Sequence, residues 1–163
     1  MRLKNILLVV QDMERSKQFY RELFGLEVVL DFGENVVLTE GLALQEKKLW
    51  ERFIGEKVGS AARDAELYFE ENDLDGFLRK LGDSSYPIRY VNPVTEYHWG
   101  QRVVRIYDPD GHIIEVGEAM EFVARRFLAC GMTVLEVARK TQLPDSMVEE
   151  LRRAMGETSE AEI

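Results

Sequence analysis

The side chains best suited to binding a small molecule are found in the second half of the chain. The segment Val94–Arg102 holds Tyr97 and Trp99, and Gly100 beside them permits close approach of a ligand or of another backbone segment. Tyr and Trp present large amphipathic surfaces, so Tyr97 and Trp99 are predicted to shape a ligand pocket. The alternative is that Trp99 packs at the domain edge or at a dimer interface.

A turn sequence, Asp108-Pro-Asp-Gly, comes next and leads into His112 and Glu115. Its structural role needs no chemistry, because Pro fixes φ and Gly supplies a positive φ. His112 and His98 are the two histidines of the chain, and Cys130 is its single cysteine. Cys130 lies in an apolar helical run, which predicts packing rather than nucleophilic catalysis.

The chain repeats one pattern of strands and helices. Asn5–Asp12 maps onto Glu66–Asp73, and in both copies a strand-like run ends at an Asp that opens an amphipathic helix. Gly25 is predicted to end the first of these helices. Gly41–Gln45 maps in the same way onto Gly111–Glu115. Each copy therefore predicts a module of one strand, one helix and three further strands, and the second strand of the second copy is expected near Ile88–Asn92.

This repeat resembles the vicinal oxygen chelate superfamily, which includes glyoxalase I, bleomycin-resistance proteins and extradiol dioxygenases. The motifs that carry the resemblance are Val10-Gln-Asp12, Ser16–Tyr20, Leu23–Leu26, and Asp108–His112 followed by Glu115. It implies an α+β fold in which two βαβββ modules form an open, U-shaped eight-stranded half-barrel. The concave face of that half-barrel would bind a small molecule.

The resemblance also implies a set of metal ligands, because the first and last strands of each module supply them in that superfamily. The matching positions are Asn5, Gln45, Glu66 and Glu115. Strand alternation agrees, since the neighbouring positions are apolar and would pack under the helices. The donors are all oxygen atoms, which favours Mg²⁺, Mn²⁺ or Ca²⁺ over Zn²⁺ or Fe²⁺. The absence of histidine from this set argues against a histidine-based extradiol dioxygenase.

Three interpretations of these polar groups stay open. In the first, a divalent cation assists a lyase or isomerase acting on an oxygen-bearing metabolite, with Glu66 and Glu115 as candidate catalytic residues. In the second, the groove holds no metal and sequesters an organic ligand, as antibiotic-resistance members do. A cationic ligand would be attracted to the two glutamates. In the third, side chains fill the groove and the protein is a scaffold. Tyr68 shares a strand face with Glu66 and is predicted to line the groove.

The chain beyond the repeat changes from alternating to helical periodicity. Thr133–Glu136 is a capping box, and the short helices around it are similar to a helix-turn-helix unit. Acidic residues on the last helix disfavour DNA recognition. The predicted organisation is a glyoxalase-like domain at 1–118 (module one 1–46, linker 47–64, module two 65–118), a helical appendage at 119–156 and an acidic tail at 157–163.

Composition limits the possible partners. The formal net charge of −9 argues against a nucleic-acid partner, because phosphate backbones are bound chiefly by Lys and Arg. No apolar run reaches the roughly 18 residues that span a bilayer, so no membrane partner is expected. The start of the chain runs directly into a strand pattern, which predicts a cytoplasmic protein. A small-molecule ligand is the expected partner. A homodimer is also expected, since half-barrels of the resembled superfamily commonly pair.

Overall fold

A computed structural model describes residues 1–59 and 63–160 of the chain. The strands are β1 (Ile6–Val10), β2 (Val28–Asp31), β3 (Asn35–Leu38), β4 (Leu42–Glu46), β5 (Glu66–Glu71), β6 (Arg89–Glu96), β7 (Arg102–Tyr107) and β8 (Ile113–Glu118). The α-helices are α1 (Met13–Phe24), α2 (Lys47–Ile54), α3 (Leu74–Gly82), α4 (Met120–Ala129), α5 (Val134–Thr141) and α6 (Asp145–Glu160).

The strands form two open four-stranded sheets with the same internal order. The first sheet has the order β1-β4-β3-β2, and the second has the order β5-β8-β7-β6. In the first sheet β1 runs parallel to β4, while β3 is antiparallel to both β2 and β4. The prediction of an α+β fold with two βαβββ modules and C-terminal helices is confirmed.

Local sequence explains where α1 begins and ends. Asp12 is the N-cap, and its side chain accepts a hydrogen bond from the Arg15 backbone N–H. Gly25 closes the helix in the left-handed conformation at a φ of 66°, which a residue with a side chain rarely adopts. The buried face of α1 carries Phe19, Tyr20 and Leu23. Both predicted ends of this helix are therefore confirmed.

The chain separates into two compact units. The first comprises Met1–Leu67, Lys80–Arg89 and Ile106–Ile113. Its core joins α1 to the first sheet and includes Leu44 and Val36, both of which are fully buried. Ile6 was expected in this core but is 57% exposed, because it lies at the start of an edge strand.

The second unit comprises Tyr68–Arg79, Tyr90–Arg105 and the chain from Ile114 onward. Helices α4, α5 and α6 contact one another around an apolar cluster of Ala124, Val137, Ala138, Val148 and Leu151. Val148 is buried in this cluster, and Phe127 packs against it. Phe122 and Leu135 are 47% and 56% exposed.

Two boundaries and the burial of one residue differ from the sequence prediction. Strand β6 continues through Pro93 to Glu96 rather than ending at Asn92, because it is an edge strand where a missing N–H is tolerated. Helix α6 extends to Glu160, so the predicted acidic tail at 157–163 is partly helical, and its last residues lie outside the described ones. Cys130 is exposed rather than packed, because α4 ends one residue before it.

No helix within residues 1–59 and 63–160 has both the length and the apolar character required to cross a bilayer.

Candidate functional site

The second sheet has one face covered by α3 and one face that carries polar and aromatic side chains. On the covered face Val104 and Ile114 are fully buried, and Arg102 pairs with Asp75 of α3 at 2.9 Å. Alternation along β7 and β8 turns Gln101, Arg105, Glu115 and Gly117 to the opposite face. Tyr68 shares that face, since a methyl group on Gly117 would lie 2.7 Å from Gln101 Nε2 and 3.3 Å from Tyr68 Cε2. We call it the aromatic face.

A stacked aromatic pair occupies the end of this face. The rings of Tyr97 and Trp99 are nearly parallel, at an interplanar angle of 4° and a centroid separation of 4.6 Å. Trp99 Nε1 donates to Gln101 Oε1 at 3.0 Å, and Arg105 Nη1 donates to the Tyr97 hydroxyl at 2.7 Å. Both rings are therefore fixed at their polar edges, and both remain partly exposed to solvent.

Gln101 connects this pair to Tyr68. The Gln101 side chain is 6% exposed, and its Nε2 donates to the Tyr68 hydroxyl at 3.1 Å and to the Glu118 carbonyl at 2.8 Å. The Tyr68 hydroxyl in turn donates to Glu70 Oε1 at 3.2 Å. Burial raises the pKa of Tyr68, and the nearby carboxylates of Glu70 and Glu115 raise it further, so the phenol is neutral at physiological pH.

Glu115 forms an ion pair with Arg105 on the same face. The carboxylate is largely buried, with 8% of the residue exposed, so the guanidinium compensates a charge that would otherwise be costly to bury. The Arg105 guanidinium also lies 5.8 Å from the centroid of the Tyr97 ring. Glu115 thus belongs to the same set of contacts as Tyr97, Trp99 and Tyr68.

The C-terminal helices hold the turn that carries the stacked pair. Arg126 of α4 donates to the Gly100 carbonyl at 2.5 Å and to Glu118 Oε2 at 3.2 Å. Lys140 of α5 donates to the His98 carbonyl at 3.3 Å. The Phe127 ring fills the space where a side chain on Gly100 would project. The appendage is therefore structurally continuous with the candidate site.

The predicted site residues fall into two groups, one on the aromatic face and one in the first unit. Tyr68, Tyr97, Trp99 and Glu115 are brought together on the aromatic face, and their roles in ligand binding or catalysis stay predictions. Gln101 and Arg105 join them although neither was named from the sequence as a site residue. The spacing of charges around the β7–β8 turn could have identified Arg105 as a site residue. Arg102 pairs with Glu118, and Arg105 pairs with Glu115 at matching positions on the two strands.

The remaining proposed metal ligands lie in the first unit. Gln45 is 4% exposed, and both ends of its amide are used: Nε2 donates to the Glu34 carbonyl at 2.8 Å, and Oε1 accepts from Asn35 at 3.0 Å. Asn5 is half-buried and Glu66 is exposed. The roles of Asn5, Gln45 and Glu66 as metal ligands stay predictions.

The donor set does not fit a divalent cation well. The Gln45 amide is committed to its neighbours, and the Glu115 carboxylate already has a cationic partner in Arg105. Among residues 1–59 and 63–160 no three His, Cys, Asp or Glu side chains are grouped so that they could hold a metal ion. The metal site stays a prediction.

Comparison with known proteins places this architecture in a family. The model of the glyoxalase-like domain matches residues 3–121. The chain belongs to the glyoxalase-like domain family. Its place in the vicinal oxygen chelate superfamily, which the sequence motifs indicated, is thereby confirmed, and helices α5 and α6 lie beyond the matched residues.

Three known proteins are similar to this chain. The chain is 39% identical to a protein of unknown function from Agrobacterium tumefaciens str. C58, covering 73% of this chain and 94% of that one at a TM-score of 0.63. It is 26% identical over 131 residues to the uncharacterized protein YraH of Bacillus subtilis, covering 71% of this chain and 97% of the relative. Lactoylglutathione lyase from Agrobacterium tumefaciens shares the fold at 24% identity and a TM-score of 0.52, covering 71% of this chain and 91% of that one.

Replacing Gly117 by alanine should displace the Gln101 side chain without straining the backbone. The added methyl would lie 2.7 Å from Gln101 Nε2, and Gln101 is held by three neighbours, so it cannot move without breaking one of those hydrogen bonds. We expect a loss of about 1–2 kcal/mol of stability and a shift in Trp99 fluorescence. Gly59→Ala is the control, since a methyl there meets no atom within 4 Å. Equal fluorescence in Gly117→Ala and the unsubstituted protein would contradict the described Trp99–Gln101 contact.

Proposed function

We propose that this glyoxalase-like protein binds a planar, cationic organic molecule on the aromatic face, without a metal and without chemical conversion of the ligand. The observation that carries the proposal is the parallel Tyr97–Trp99 pair, which is fixed at both polar edges before any ligand arrives. A preorganised aromatic surface lowers the entropic cost of binding, and it favours flat ligands that can stack.

The charge expected of the ligand follows from the carboxylates around the face. Glu115 is compensated by Arg105, so it offers little attraction to a second cation. Glu70 is exposed, accepts a hydrogen bond from Tyr68 and forms no ion pair with any residue of the described ranges. This uncompensated carboxylate, together with a net charge of −9 for the chain, favours a cationic ligand over an anionic one.

The proposal selects the sequestration interpretation from the alternatives that the sequence left open. In metal-assisted lyase or isomerase chemistry, Gln45 would have to break two hydrogen bonds before its amide could bind a metal. The Glu115 carboxylate would have to bind the metal ion in place of the Arg105 guanidinium. No described contact favours that rearrangement.

Proflavine, a planar cationic dye, is a suitable probe for this site. We expect saturable binding, seen as quenching of Trp99 fluorescence in a Trp50→Phe background where Trp99 is the single remaining tryptophan. Trp99→Ala should weaken binding about tenfold to a hundredfold, since stacking and cation–π contacts contribute about 1.5–3 kcal/mol. For that variant the dye's own fluorescence polarisation is the signal.

The controls separate this site from nonspecific association. Trp50→Phe should bind proflavine as tightly as the unsubstituted protein, and Glu70→Gln should bind it a few-fold more weakly at low salt. Anthracenesulfonate, which is planar but anionic, should bind much less well than proflavine. Binding of proflavine with unchanged affinity in Trp99→Ala would refute the proposed function.

A further inference from the structure

A separate cavity of about 460 Å³ lies within the first unit. Leu7 and Val9 of β1 and Val58 form apolar walls, while Lys47 at the start of α2 and His112 after the β7–β8 turn line it with polar groups. Cavities of this size, with apolar walls and a few convergent polar groups, are typical of small-molecule sites. We call it the histidine cavity. Neither the family match nor the proposed function assigns it a role.

A buried carboxylate orients the histidine of this cavity. Asp108 is fully buried, and its Oδ2 lies 2.7 Å from His112 Nδ1 and accepts from the Tyr20 hydroxyl at 2.9 Å. Its other oxygen accepts backbone N–H bonds from Asp110, Gly111 and His112.

These contacts decide the tautomer of His112. Burial acts to raise the pKa of Asp108, but the hydrogen bonds from His112 and Tyr20 outweigh it and hold that pKa below its ordinary value. Asp108 is therefore an ionised acceptor, which keeps a proton on His112 Nδ1. In the neutral ring, Nε2 is then left as a hydrogen-bond acceptor.

Lys47 supplies a positive charge to the same cavity. It is half-buried and forms no ion pair with the residues that the structure describes. Asp110 also lines the cavity, but its carboxylate accepts from the Gln11 N–H at 3.2 Å and from Ser16 at 3.4 Å and pairs with Arg15 at 3.5 Å. Asp64 is exposed at the rim. The cavity thus offers the Lys47 ammonium group, the His112 imidazole and an apolar wall, beside an Asp110 carboxylate that already has its own donors and a cationic partner.

We infer that the histidine cavity binds an aliphatic carboxylic acid that also carries a hydroxyl group. The carboxylate pairs with Lys47, the hydroxyl donates to His112 Nε2, and the hydrocarbon chain lies against Leu7 and Val9. This inference does not depend on the aromatic face, since an aliphatic chain has no ring to stack on Trp99.

The tautomer and the binding can be measured together by ¹⁵N NMR of the imidazole rings, because the chain has only two histidines. His112 should show a protonated Nδ1 and an unprotonated Nε2. Titration with ω-hydroxyhexanoate should shift the His112 Nε2 signal while leaving that of His98 unchanged. Hexanoate and ω-methoxyhexanoate cannot donate to Nε2, so they should bind about tenfold more weakly.

Matched substitutions then test each contact. Lys47→Gln should weaken ω-hydroxyhexanoate binding about tenfold, whereas Lys48→Gln, at an exposed neighbouring position, should leave it unchanged. His112→Asn should remove the preference for the hydroxyl, and His98→Asn should retain it. Trp99→Ala should have no effect, which separates this site from the proposed function. A proton on His112 Nε2 in the neutral ring, equal affinity for all three acids, or unchanged binding in Lys47→Gln would overturn the inference.

Discussion

Asp108→Asn is expected to destabilise the protein by about 2–4 kcal/mol, since it removes a buried negative charge that five donors surround. Those donors are the Tyr20 hydroxyl, the His112 ring and three backbone N–H groups of the turn. The asparagine oxygen can still accept from the turn N–H groups, but the amide is neutral and its N–H groups would face the Tyr20 hydroxyl and the His112 Nδ1–H. Urea unfolding measures the loss. Asp64→Asn, at an exposed position, should change the free energy of unfolding by less than about 0.5 kcal/mol.

Tyr20→Phe isolates one member of this group. It removes the 2.9 Å hydrogen bond to Asp108 and retains the ring, so it should cost about 1 kcal/mol. A loss in Asp108→Asn no larger than the loss in Tyr20→Phe would contradict the view that the buried charge organises the turn.

The contribution of Asp108 should also depend on pH. Its pKa in the folded state is held below the ordinary aspartate value, since the hydrogen bonds from His112 and Tyr20 outweigh burial, which alone would raise it. The stabilisation is therefore fully present above a pH of about 4 and is lost as the pH falls through the lowered folded pKa. The difference in unfolding free energy between the unsubstituted protein and Asp108→Asn should shrink below that pH. A constant difference would show that the folded pKa is not depressed.

Gly100→Ala is expected to have the second large effect, on both stability and ligand binding. Gly100 has a φ of 89°, and an added methyl would overlap the Phe127 ring. The substitution combines backbone strain with the displacement of a ring that packs against the helical cluster, so we expect a loss of about 2–4 kcal/mol. Because the turn also carries Tyr97 and Trp99, proflavine affinity should fall at least several-fold.

Gly131→Ala provides a matched control for this change. Gly131 has a φ of 87°, but a methyl there would meet no atom within 4 Å. It should therefore show the backbone strain alone, about 1–2 kcal/mol, with proflavine affinity unchanged. Equal losses of stability in Gly100→Ala and Gly131→Ala would mean that Phe127 does not hold the turn.

Local chemistry made much of the fold predictable. The Asp12 and Gly25 caps of α1, and the Thr133–Glu136 capping box of α5, depend only on neighbouring residues, and all are present as expected. Alternation along β8 correctly separated Ile114 and Val116 from the polar face. The matching strand orders of the two sheets followed from the internal repeat.

The site was harder to predict because it depends on pairings between distant residues. Glu115 was correctly assigned to a polar face, but its Arg105 partner follows only from the register of the hairpin. Gln101 lies within the segment that was expected to shape a pocket. Its hydrogen bonds to Trp99 and Tyr68 were not predicted, because Tyr68 is 33 residues away in the sequence. The attachment of Arg126 and Phe127 to Gly100 joins segments for which the sequence pattern contains no pairing signal.

The most direct test of ligand binding at the aromatic face is to locate proflavine on chelator-treated protein by intermolecular NOEs in NMR spectra. If proflavine binds at the aromatic face, we expect NOEs from the dye to the indole protons of Trp99 and to the ring protons of Tyr68, with no divalent cation added. Contacts confined to Trp50 or to helices α5 and α6, or binding that appears only after Mg²⁺ or Mn²⁺ is supplied, would contradict a metal-free site on this face.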